Sequence, residues 1–274
     1  MKSYFDTLIN TDQVNDLIHS GTQIVFLDCR YALDDPFRGR KDYLQSHIPS
    51  AVYMDIMHDL SSPVIKGITG RHPLPNPVIL ESALQQAGIS NDSQVIVYDQ
   101  NNGAYAARAW WLLQWLGHEK VALLNGGFAS WISEGNAVDN QWSLPETGTF
   151  KGNINEKMTI AREELQTTKK HIVDSRDARR YSGEIEPIDP VAGHIPGAIC
   201  IPFMQNTGQD GKWISKDALQ ERFHQLENPV FYCGSGVTAC HNVLAFKMAT
   251  GRMAQLYPGS WSEWILYHKP DTGS

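Results

Sequence analysis

The sequence predicts an α/β protein of two tandem domains, each a parallel sheet with helices on both faces, and three observations carry that reading. One pattern occurs twice: Ile24 to Leu27 run into Asp28-Cys29-Arg30 with His47-Ile48-Pro49-Ser50-Ala51 beyond, and Ile172-Val173 run into Asp174-Ser175-Arg176 with His194-Ile195-Pro196-Gly197-Ala198 beyond. Val95 to Asp99 before NNGAYAAR likewise answers Val230 to Cys233 before GSGVTACH, and Gly126 to Trp131 answers Gly259 to Trp264. A repeat of about half the chain is a duplicated domain, because solenoid units run only about 20 to 50 residues. Within each copy, short apolar runs alternate with stretches of helical spacing, the pattern of parallel strands joined by crossover helices. Finally, 274 residues give enough interior for two ordinary domains.

In the first copy the strands fall near Ile24 to Leu27, Ala51 to Tyr53, Val95 to Tyr98 and Val121 to Leu124. A helix over Ala104 to Leu116 carries Ala106, Ala109, Leu113 and Leu116 on one face. The polar stretch Gln141 to Asn153 contains Pro and Gly and is the expected connection. This gives an N-terminal domain over 1–140, a linker over 141–155 and a C-terminal domain over 156–274. The second copy places strands near His171 to Asp174, Ile199 to Pro202, Val230 to Tyr232 and Gln255 to Tyr257. Val237, Cys240, Leu244 and Met248 then recur at steps of three and four, which is helical spacing.

Composition removes several classes of function. Hydrophobic residues at 42% and charged ones at 19% describe a globular chain, and a formal charge of −7 argues against a nucleic-acid surface, which needs a basic stripe. The start of the chain lacks the apolar core of a signal peptide, and no run of about 18 apolar residues suggests a membrane span. A cytoplasmic protein is expected. The four cysteines, Cys29, Cys200, Cys233 and Cys240, form no CxxC pair or Cys/His cluster of structural-zinc spacing, so neither a disulfide framework nor a metal is implied. Cys29, Cys200 and Cys240 sit in or beside apolar runs and are expected to pack as small hydrophobes.

Cys233 differs, because it opens a tight strand-to-helix loop, Cys-Gly-Ser-Gly-Val-Thr. Gly234, Ser235 and Gly236 let the backbone curl around the sulfur and turn N–H groups inward as an anion-cradling nest. The helix start adds unpaired N–H groups and positive dipole. Such surroundings favour the nucleophilic thiolate. Two glycines and a serine fill a core poorly, so the loop is better suited to presenting a sulfur than to packing. The first copy has Asp99 at the corresponding place, and a carboxylate cannot carry a sulfur atom. Only the C-terminal copy is therefore expected to be catalytic.

CGSGVTA in this setting resembles the active-site loop of the rhodanese superfamily, and the chain as a whole is similar to its tandem-domain sulfurtransferases, closest to the 3-mercaptopyruvate sulfurtransferase branch. In thiosulfate-preferring members the two positions after the cysteine are typically Arg and Lys, whereas here they are Gly234 and Ser235. The DxR and HIPxA elements and the Asn125-Gly126-Gly127-Phe128 turn extend the likeness over essentially the whole chain. It implies an inactive N-terminal rhodanese-like domain, an active C-terminal one, and an active site in the cleft between them. By position it makes Arg180 the ligand of the donor's anionic group, a role that suits a guanidinium fork. Gly234, Ser235, Gly236, Val237 and Thr238 become the substrate-binding loop.

Mercaptopyruvate-preferring members often carry a second Arg in a Glu-Pro-Arg motif, but this chain reads Glu186-Pro187-Ile188-Asp189. Arg179, Arg71 and Arg108 are the candidates for the missing cation. The resemblance also suggests His47 for an acid/base relay, against the simpler reading of a hydrogen-bonded turn histidine. Asp28 with Arg30, and Asp174 with Arg176, are expected to be structural pairs, since both copies contain them. Trp261 and Trp264 are expected to pack in the core or between domains.

The implied reaction passes sulfur from 3-mercaptopyruvate to Cys233 as a persulfide and then to a small thiol, cyanide or thioredoxin, with no metal or organic cofactor required. The alternatives are a thiosulfate:cyanide sulfurtransferase and a non-catalytic rhodanese-like binding module, although such modules usually lose the cysteine. Cell-cycle phosphatases of this fold use a loop one residue longer that ends in Arg. Val237-Thr238-Ala239-Cys240 offers none, which argues against that chemistry.

Overall fold

The computed structural model describes residues 4–142 and 144–268. Among the described residues, nine strands build two sheets, all of whose ladders are parallel. The first contains β1 (Leu8–Ile9), β2 (Ile24–Asp28), β3 (Val52–Tyr53), β4 (Gln94–Tyr98) and β5 (Val121–Leu124) in the order β1-β5-β4-β2-β3. The second contains β6 (Ile172–Asp174), β7 (Ile199–Cys200), β8 (Val230–Tyr232) and β9 (Gln255–Leu256) in the order β7-β6-β8-β9. Every residue of β4, β5 and β8 is buried, as expected of central strands covered on both faces. The predicted strands all form. β1 was not expected, because two residues at a sheet edge leave no periodicity to read.

Two compact units result. One comprises the described residues up to Ser61, Pro75–Asn155 and Thr207–Trp213; the other comprises Ser62–Leu74, Glu156–Asn206 and the described residues from Ile214. The stretch read as a linker is bound to the first unit: Gly148 N donates to Gln85 O, Phe150 N to Ile89 O and Asn153 N to Leu116 O, and Phe150 is fully buried. In the second unit, Arg71 N donates to Ser262 Oγ at 3.1 Å and Tyr267 Oη to Ile68 O at 3.0 Å, which fastens the Ser62–Leu74 segment there.

The helix Ala106–Trp115 corrects one expectation. Its apolar stripe was read on a single face, yet all ten residues are buried, Arg108 and Gln114 included. The three small alanines let the helix pack closely, and its three tryptophans fill the space on the remaining sides.

The repeated motifs have the same job in both units. Arg30 Nη2 lies 2.6 Å from Asp28 Oδ2, and Arg176 Nη2 lies 2.6 Å from Asp174 Oδ2, each pair buried and further bonded to a backbone carbonyl, Ser46 O or Gly193 O. A buried ion pair is tolerable only when its remaining hydrogen-bonding capacity is met in this way. Tyr98 and Tyr232 hydroxyls accept from Ile48 N and Ile195 N, tying the HIP turn to the central strand. His47 Nδ1 lies 2.7 Å from Tyr43 O with its ring stacked on Tyr43, and His194 Nδ1 lies 2.8 Å from Tyr181 O with its ring stacked on Tyr181.

Candidate active site

β8 delivers Cys233 to the carboxyl edge of its sheet, where open α/β proteins bind ligands. The loop's shape follows from what holds its carbonyls. Cys233 O and Gly234 O accept from Trp261 N and Ser262 N at 3.0 and 2.9 Å, in the first turn of the helix Ser260–Tyr267. Cys233 N donates to Ser260 Oγ at 3.1 Å. With those carbonyls tied to the neighbouring helix, the following N–H groups turn toward the sulfur, and Gly236 N lies 3.2 Å from Cys233 Sγ. Gly236 has φ +78°, and a Cβ there would sit 2.3 Å from Pro258 O, so only glycine completes the curl.

The electrostatics separate this cysteine from two of the others. Burial alone would raise the Cys233 pKa, but hydrogen bonds from the Thr238 hydroxyl and from the N–H groups of Ser235, Ala239 and Gly236 outweigh it and hold the thiol below 9.0. Burial wins at Cys29, well above 9.0, and at Cys200, pushed up to about 11. Cys240 is buried, with Sγ 3.3 Å from Gly236 O, and packs at the start of the helix Ala239–Thr250.

The first unit supplies an internal control. After β4, the Asp99 carboxylate accepts from Asn101 N, Gly103 N, Tyr105 N and Ala106 N at 2.9 to 3.2 Å. The same turn that gathers N–H groups around a sulfur in one unit gathers them around a carboxylate in the other. Burial nonetheless raises the Asp99 pKa against those four bonds.

Cations cover the mouth of the Cys233 loop. A Cβ at Gly234 would lie 2.7 Å from Arg71 Nη2 and 3.5 Å from Arg180 Nη2, so two guanidinium groups converge over the glycine that follows the sulfur. Burial lowers the Arg71 pKa, and attraction to Cys233 opposes that shift. Arg180 also pairs with Glu186 at 2.7 Å and Asp189 at 3.1 Å, Arg71 pairs with Asp189, and Arg176 pairs with Glu186. With Asp174 on Arg176, three guanidinium groups face three carboxylates and their formal charges cancel. His72 Nδ1 lies 2.8 Å from Ser235 Oγ.

Of the residues expected from sequence, Cys233, Gly234, Ser235, Gly236, Val237, Thr238 and Arg180 therefore lie together. Arg179 does not join them, being exposed and paired with Glu184 at 2.8 Å. His47 and Arg108 belong to the first unit, where both are buried; Arg108 Nε donates to Leu60 O. Sequence reasoning missed His72, Asp189 and Ser260. His72 and Ser235 are 163 positions apart and no spacing announces the contact. Asp189 stands in Glu186-Pro187-Ile188-Asp189, where a lone acid after an apolar residue carries no local signal of its contacts with Arg71 and Arg180.

Comparison with known proteins agrees with this geometry. The family described as "Rhodanese-like domain" matches residues 10–134 and 158–266, one copy in each half. A probable 3-mercaptopyruvate sulfurtransferase of Pseudomonas aeruginosa is 48% identical over 257 residues, covering 90% of both chains. A putative thiosulfate sulfurtransferase of Mycobacterium tuberculosis is 35% identical over 277 residues, covering 96% of this chain and 95% of the relative. Among solved structures, 3-mercaptopyruvate sulfurtransferase from Leishmania major superposes with a TM-score of 0.86 at 29% identity, over 98% of this chain and 77% of that one.

Proposed function

The chain belongs to the rhodanese family, and from that premise we propose that it is a 3-mercaptopyruvate sulfurtransferase working through a Cys233 persulfide. The observation that carries the reading is the pair of guanidinium groups, Arg71 and Arg180, over the loop of a thiol held below its ordinary pKa. Anion recognition and nucleophile then stand side by side, as sulfur abstraction from a small anionic donor requires.

The Cys233 thiolate attacks the donor's sulfur, and the carbon–sulfur bond breaks with its electron pair passing to carbon. The donor's thiol proton reaches that carbon, so pyruvate leaves and Cys233 retains the persulfide. Arg71 and Arg180 hold the donor carboxylate, and the Ser235 hydroxyl, positioned by His72, stabilises the enolate oxygen that develops. The N–H groups of Ser235, Gly236 and Ala239 and the Thr238 hydroxyl stabilise the anionic sulfur before and after transfer without reorganising. An acceptor thiolate or cyanide then takes the outer sulfur, giving a new persulfide or thiocyanate and returning the Cys233 thiolate. A small thiol or a dithiol protein of the thioredoxin class fits the acceptor role.

Thiosulfate is the alternative donor, but Gly234 and Ser235 add no cation to the loop. Losing one charge-assisted hydrogen bond costs about 1.5 to 3 kcal/mol, roughly ten- to a hundredfold in kcat/KM. Steady-state kcat/KM for both donors, with cyanide and with a dithiol acceptor, tests the assignment. Mercaptopyruvate is expected to be preferred, with a high KM; preference for thiosulfate would overturn the reading.

A further inference from the structure

We propose that Asp189 sets the charge of the sulfur donor: its carboxylate, held between Arg71 and Arg180, cancels part of the positive field over the Cys233 loop and so selects monoanions over dianions. The proposal rests on the reading of the two arginines as the donor's anion site.

Asp189 is placed by its own turn. Glu186 Oε1 accepts from Ile188 N at 3.1 Å and from Asp189 N at 3.0 Å, and Glu186 is itself fixed by Arg176 and Arg180. The Asp189 side chain is 2% exposed, with Oδ1 on Arg71 Nη1 and Oδ2 3.1 Å from Arg180 Nη2. The arginine side chains are more open, 32% for Arg71 and 15% for Arg180. Solvent, and hence a donor, reaches the guanidinium groups from the side that Asp189 does not occupy. Two guanidinium groups this close would repel one another, and a carboxylate between them permits the arrangement. The same carboxylate lowers the potential that an incoming anion meets.

The consequence is quantitative, because the energy of a charge in a fixed potential is proportional to the charge. Removing the Asp189 charge raises the potential once, and a dianion gains twice what a monoanion gains. If a monoanion binds about tenfold more tightly, a dianion should bind about a hundredfold more tightly. A role confined to holding the arginines in place has no such dependence on ligand charge.

The test measures dissociation constants of pyruvate and sulfate by calorimetry for the unmodified protein, Asp189→Asn and Asp189→Ser, with kcat/KM for mercaptopyruvate and thiosulfate alongside. We expect both variants to bind sulfate more tightly by about the square of the factor for pyruvate. The thiosulfate-to-mercaptopyruvate ratio of kcat/KM should rise about tenfold, mainly through KM. Equal factors for the two anions, weaker binding of both, or loss of the fold in both variants would overturn the proposal. Anion binding with no mercaptopyruvate turnover by the unmodified protein would instead overturn the sulfurtransferase reading, and the two calorimetric factors would still decide the role of Asp189.

Discussion

Cys233 and Asp99 show how one backbone turn is put to two uses. Both follow a central strand, and both lie in a nest of N–H groups. Only the sulfur is nucleophilic, and the Thr238 hydroxyl is the leading contribution against burial in lowering its pKa. Thr238→Val should therefore raise the Cys233 pKa, because the thiolate loses a donor while its burial is unchanged. Iodoacetamide alkylation followed against pH reads this directly. In the unmodified protein the rate should reach half its maximum below pH 9.0, and the Thr238→Val curve should move to higher pH. Coincident curves would remove Thr238 from the account. Cys29→Ala and Cys240→Ala remove thiols other than the nucleophile, so turnover should persist while thermal melting falls by the equivalent of about 1 to 2 kcal/mol. The sequence marked Cys233 well, since a glycine-rich loop after an apolar run is a local signal. It could not mark His72, whose meaning depends on a contact with Ser235 made by folding.

The loop between β8 and the helix Ala239–Thr250 keeps its shape through Ser260–Tyr267, whose first turn takes up the carbonyls of Cys233 and Gly234. Ser260 therefore supports the loop from outside the motif: it accepts from Cys233 N and donates to Tyr257 O. Ser260→Ala should leave Cys233 N without its partner and loosen the nest, lowering kcat more than it raises KM for mercaptopyruvate. A change confined to KM would instead place Ser260 in donor binding. In the other unit, Asp99→Ala strips the acceptor from four backbone N–H groups. Leaving buried donors unmet costs about 1 to 3 kcal/mol each where water cannot replace the carboxylate, so a clear fall in melting temperature is expected. An unchanged melting curve would show that water fills the nest. The strands around these loops were legible because buried parallel strands are continuous apolar runs. The helix Ala106–Trp115 was only half legible, since an amphipathic reading has no way to show burial on every side.

For the chain as a whole, duplication is the feature that sequence reveals best, because each copy needs the same internal scaffold. The Asp–Arg pairs, the HIP turns and the Tyr98 and Tyr232 hydroxyls recur with similar distances, which is why those motifs appear twice. Harder to read was the membership of short segments. Ser62–Leu74 brings Arg71 and His72 into the second unit, and Thr207–Trp213 joins the first, where Trp213 N donates to Asn125 Oδ1. Repeat alignment cannot foresee such exchanges, since they depend on which surface a loop finds when the chain folds. The central claim is that sulfur resides on Cys233 between donor and acceptor, and intact-mass spectrometry after mercaptopyruvate alone tests it most directly. We predict a gain of about 32 Da that maps to Cys233, disappears on adding a thiol, and is absent from Cys233→Ser. No adduct on the unmodified protein, or an adduct that survives in Cys233→Ser, would contradict the account.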